Sequence, residues 1–75
     1  MLDKDKFRSA IMDRGDRQED AALALGMSPS MLSGILNGRR EFRRNEIELV
    51  AEHYKLSLEE IRRIFFTGIS NQNLT

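Results

Sequence analysis

The stretch LGMSPSMLSGILNGRREFRR, residues 25–44, holds one short helix with both of its ends marked. Gly26 supplies a left-handed turn after the preceding apolar run, Ser28 is an N-cap, and Pro29 takes the first helical position, where its missing N–H is harmless. Met27 can staple to Leu32, and Asn37-Gly38 ends the helix, so the spacing predicts a helix over about 28–37. At about 100° per residue, Leu32, Ile35 and Leu36 share one side. The opposite side then carries Ser30, Gly34 and Asn37, flanked by Ser33 and Met31. A solvent-facing helix usually fills such positions with Glu, Lys, Gln or Arg, and a glycine inside it costs about 1 kcal/mol relative to alanine. Gly34 therefore makes room, either for a large ligand or for a closely packed helix. The major groove of B-DNA admits one α-helix, and Arg39, Arg40, Arg43 and Arg44 just beyond the helix end would meet the flanking phosphates.

Caps and periodicity mark four more helices, and no segment alternates with period two, so the expectation is an all-α, five-helix bundle. The first helix starts at Asp3, with Leu2 and Phe7 in staple positions, places Phe7, Ala10, Ile11 and Arg14 on one face, and stops at Gly15. The second follows with Asp16 and Glu19 in capping-box spacing and Gln18, Ala21, Ala22 and Leu25 at helical intervals. The fourth runs over about 44–54 with Ile47, Val50, Ala51 and Tyr54 as its stripe, although Arg43 is a poor cap. The fifth opens on the Ser57/Glu60 capping box, pairs Leu56 with Ile61, and continues through Ile61, Ile64 and Phe65 to Gly68. Residues 1–69 form the expected domain and 70–75 a polar tail. The triplet at 73–75 matches a glycosylation acceptor, but no secretory signal accompanies it.

A chain of 75 residues has material for one core. With 40% hydrophobic and 32% charged residues it reads as an ordinary globular domain, with no apolar run that could span a membrane, and a cytoplasmic location is the default expectation. The absence of cysteine excludes disulfides and thiolate ligands. Formal net charge is zero, yet it is unevenly placed. Residues 39–44 carry four arginines against one glutamate, a net of +3, and residues 45–60 carry five glutamates against Lys55, a net of −4. Such a dipole would orient the domain on a polyanion. There is no Ser-His-Asp set, phosphate loop or histidine pair at ligand spacing, so neither an enzyme nor a cofactor or metal is expected, and His53 among Glu46, Glu48 and Glu52 reads as part of a solvated acidic face.

Gln18 opening the second helix, Ala22 within it, Gly26 at the turn, Ser28 as cap, Leu32 and Ile35 in the core, and Asn37-Gly38 at the end form a pattern that resembles the Cro/CI-type (Xre-like) helix-turn-helix DNA-binding domains. The closing segment NEIELVAEHYKLSLEEIRRIFF is similar to that of small phage regulators of Gram-positive bacteria. The resemblance implies a lambda-repressor-like fold, transcriptional regulation, and binding of double-stranded DNA. It implies that Gln18 meets phosphate and that Pro29, Ser30, Ser33 and Gly34 face bases. Proline and glycine offer no side-chain hydrogen bond, so the bidentate readout common in relatives is absent from these positions. Arg17, where relatives carry a small capping residue, can substitute as a backbone or base contact. Asn37 is first a helix cap and second a DNA contact, and Met31 faces either a thymine methyl or a gap in the core.

Phe65 and Phe66 point about 100° apart, so both cannot enter one core. Phe66 either packs under the tail or forms a two-fold contact, as groove readers need to address paired half-sites. The expected assembly is thus a homodimer on duplex DNA. The rival expectation is a protein-interaction module or antirepressor on the same fold, with another regulator as its partner.

Overall fold

The computed structural model describes residues 1–67, five helices joined by short turns: α1 Lys4–Met12, α2 Gln18–Ala24, α3 Pro29–Leu36, α4 Arg44–Tyr54 and α5 Leu58–Phe65. The proposed tail, and the stop at Gly68, lie outside the described residues. Asp3 caps α1 by accepting from the Lys6 N–H at 3.1 Å, and Ser57 caps α5 by accepting from that of Glu60 at 3.1 Å. The Glu60 carboxylate accepts in return from the Ser57 N–H at 2.9 Å, completing the capping box. Among the described residues, no helix is long and apolar enough to cross a membrane.

The start of α2 differs by one residue from the sequence expectation. Arg17, not Asp16, holds the N-cap position, and Asp20 rather than Glu19 accepts from the cap N–H, at 2.9 Å. The cause is tertiary: the Asp16 carboxylate accepts from the buried Tyr54 hydroxyl at 2.6 Å and is committed there. Burial first, then this bond to Asp16, raises the Tyr54 pKa well above its ordinary value. Arg14 ties the same corner together. It lies beyond α1, donating to the Tyr54 carbonyl at 2.7 Å and the Ala10 carbonyl at 2.9 Å while pairing with Glu60 at 3.3 Å.

The apolar stripes converge on one core, with Phe7, Ala21, Ala22 and Leu32 fully enclosed and Ile11, Ile35 and Val50 nearly so. Phe7, Phe42 and Phe65 form a ring cluster, with centroids 5.6 Å (Phe7 to Phe42), 5.3 Å (Phe42 to Phe65) and 6.3 Å (Phe7 to Phe65) apart. Phe42 thereby anchors the loop that carries the arginines. The ends of the described chain also meet: Asp3 donates its N–H to the Ile64 carbonyl at 2.7 Å, and Thr67 donates to that of Met1 at 3.1 Å.

Lys55 ends α4 in the left-handed region, at φ 54°. An L side chain there meets the following carbonyl, and glycine does not. Lys55→Gly is therefore expected to raise stability by about 1 kcal/mol, read as a higher denaturation midpoint at unchanged slope.

Candidate nucleic-acid interface

The outward surface where α2 meets α3 is built from helix starts. Ser28 accepts from the Met31 N–H at 3.1 Å, so Pro29 begins α3 and Ser30 and Ser33 follow on its outer side. Gln18 begins α2, and its side-chain oxygen accepts from Arg8 Nε of α1 at 3.3 Å. That bond uses the amide oxygen and leaves the NH2 group as a donor. Arg8 is a positioning residue that helical spacing does not single out, because the pairing crosses from one helix to another.

A concave surface of about 520 Å³ results, lined by Gln18, Glu19, Pro29, Ser30, Ser33 and Arg39. Five of these were marked in the sequence, and Glu19 was not. Asn37 caps α3, and its amide donates to Ser33 Oγ at 3.4 Å, so it is tied back to the same face. Met31 is 47% exposed, which removes its core-filling alternative.

Two expectations for this face need correction. Gly34 is buried, so it does not lie open to base edges. What covers it is not a helix but Arg39: a Cβ on Gly34 would meet Arg39 Cδ at 3.4 Å and Nη1 at 3.6 Å. The cause is the way α3 ends. Gly38, at φ +88°, donates to the Ile35 carbonyl at 3.0 Å, and Arg39 donates its N–H to that of Gly34 at 2.8 Å. These are the two bonds of a Schellman motif, which brings the residue after the glycine back over the last turn. The contact usually made there by an apolar side chain is made by the methylenes of Arg39.

The second correction concerns Arg40, which is not available to phosphate. Its guanidinium grips the Glu46 carboxylate with two bonds, at 2.9 and 3.0 Å, and donates to the Glu41 carbonyl at 2.9 Å. Glu46 also accepts from the Arg43 N–H at 2.8 Å, which supplies the cap that the Arg43 side chain cannot. The Arg40 bond holds the Glu46 pKa below its ordinary value, against the opposing effect of burial. Arg44 pairs with Glu48 at 3.4 Å, but at 93% and 67% side-chain exposure that pair is weak and readily exchanged for a phosphate. Among the described residues, the guanidinium groups of Arg17, Arg39 and Arg43 donate to no protein atom.

A family model described as helix-turn-helix matches residues 7–61, most of the chain and every residue of the surface just described. The chain belongs to the Cro/CI-type helix-turn-helix family. No curated protein and no solved structure gives a significant match. This helix-turn-helix family is one of DNA-binding regulators rather than of enzymes. The concave surface lies within the matched residues, on α2, α3 and the turn that follows α3. Among its described residues no group of three or more His, Cys, Asp or Glu side chains could hold a metal ion.

Proposed function

We propose that the protein is a sequence-specific transcriptional regulator that binds duplex DNA as a homodimer, with α3 entering the major groove. The observation that carries this reading is the concave surface at α2 and α3, where Gln18, Pro29, Ser30, Ser33 and Arg39 come together from two helices and a loop. Gln18, Arg17, Arg43 and Arg44 hold the phosphate backbone, and Ser30 and Ser33 lie against base edges, with Asn37 beside them. The likeness of the closing segment to small phage regulators supports a phage or other mobile element as its setting. Phe66, 41% exposed, supports the homodimer: with Phe42, Ile47, Ala51 and Ile61, and with Arg44 and Glu48 as charged members, it lines a mainly apolar groove of about 500 Å³ on α4 and α5. Burying that groove against its symmetry mate would set two α3 helices on successive half-sites, roughly 34 Å apart.

Titration of duplex DNA across a salt series tests the reading. Log affinity is expected to fall linearly with log salt at a slope of about 0.9 per phosphate contact, and Arg17→Ala and Arg43→Ala should each flatten it by about 1. Absence of salt-sensitive duplex binding at micromolar protein would overturn it.

A further inference from the structure

Arg39 and Arg40 are neighbours in sequence but have opposite fates in the fold. Arg40 is spent on Glu46, whereas Arg39 lies across Gly34 with its guanidinium uncommitted, lining the concave surface beside Ser30 and Ser33. We infer that Arg39 is the specificity-determining residue of this surface and reads a guanine, with its side chain resting across Gly34. The inference rests on the DNA-binding reading above and adds to it a base and the residue that recognises it.

Three observations carry it. First, recognition of guanine in the major groove calls for two parallel N–H donors aimed at O6 and N7. Of the side chains lining the concavity, Pro29 has no donor, Ser30 and Ser33 have single hydroxyls that suit several bases, and Gln18 is held by Arg8. Arg39 alone brings a rigid, bidentate fork. Second, its position is imposed. The backbone is fixed by the two bonds that close α3, and the side chain lies across Gly34, where a Cβ would meet its Cδ at 3.4 Å, an ordinary van der Waals contact. Third, Glu19 lines the same concavity. Its carboxylate repels a phosphate drawn in beside Arg39. It is suited to a G·C pair, whose guanine edge accepts from arginine and whose cytosine amino group donates to a carboxylate.

The test begins with selection of bound fragments from random duplex DNA by the wild-type protein, Arg39→Ala, Arg39→Lys and Gly34→Ala, with thermal melts to show that each is folded. Wild type should select an invariant guanine at symmetry-related positions. Replacing that guanine by 7-deazaguanine, which lacks the N7 acceptor, should lower wild-type affinity about tenfold or more, and should leave Arg39→Ala unaffected. Arg39→Lys keeps the charge but should lose the guanine preference. Gly34→Ala should melt no lower than wild type and should keep that preference, since its Cβ meets Arg39 only at ordinary contact distance. The inference is overturned if Arg39→Ala still selects the guanine while binding operator and unrelated duplex more weakly by the same factor, since Arg39 would then be a phosphate contact and DNA binding itself would stand. A wild type that binds no duplex removes both this inference and the reading beneath it.

Discussion

Gly34→Glu is expected to give a folded protein that no longer binds duplex DNA. The new Cβ meets only the flexible Arg39 side chain, nearest at 3.4 Å, an ordinary contact, and that chain can move aside for the rest of the glutamate. The helix gains from losing a glycine, by about 0.5–1 kcal/mol. Binding fails for an electrostatic reason. The carboxylate neutralises Arg39 and adds a negative charge to the surface that must meet a polyanion. Like charges at about 4 Å repel by about 4 kcal/mol at an effective dielectric of about 20, and with salt screening a loss of about 100-fold or more in affinity is expected. Melting curves run beside anisotropy titrations check both halves. A steep fall in melting temperature would mean that position 34 is packed against something far less yielding than an arginine.

Adjacent phenylalanines should behave oppositely. Phe65 is 5% exposed and packs edge-on against Phe42 and Phe7. Truncating a core phenylalanine costs about 3–5 kcal/mol, and an aspartate there adds the burden of a buried charge. A domain of this size holds only a stability near the lower end of about 5–15 kcal/mol, so Phe65→Asp is expected to unfold the chain. Phe66, at the end of α5, should accept Asp with its helices intact and become a monomer with much weaker operator binding. Circular dichroism and sedimentation across a concentration series separate these outcomes. Wild-type protein that remains monomeric at several hundred micromolar would sink the two-fold role of Phe66.

Local signals proved legible where their partners are local. The Ser28 and Ser57 caps, the Asn37-Gly38 stop and the stripes of α3 and α5 all stand where spacing put them, because a cap or a helical face involves residues three or four apart. Asp16 was misread as a cap since its partner, Tyr54, is 38 positions away. Arg40 was misread as a phosphate contact since its grip on Glu46 requires the loop between α3 and α4 to fold back, a spacing of six that no helix surface presents. Arg8 on Gln18 likewise depends on how α1 crosses α2. The cover over Gly34 had a signal in the sequence, the glycine four residues later, but reading it required following the chain through the closing turn rather than stopping at the helix end.

Phe42 interrupts the run of arginines, and its ring packs against those of Phe7 and Phe65. A basic loop without such an anchor would sample many conformations and would have to give up that freedom on meeting a duplex, at about 1–2 kcal/mol for each backbone residue fixed. Here the freedom is already lost when the core forms. The Phe42 anchor fixes where the backbone on either side of it leaves the core, so the flanking arginines start from set positions as a polyanion approaches, and the cohesion of the hydrophobic interior becomes part of the affinity of the surface.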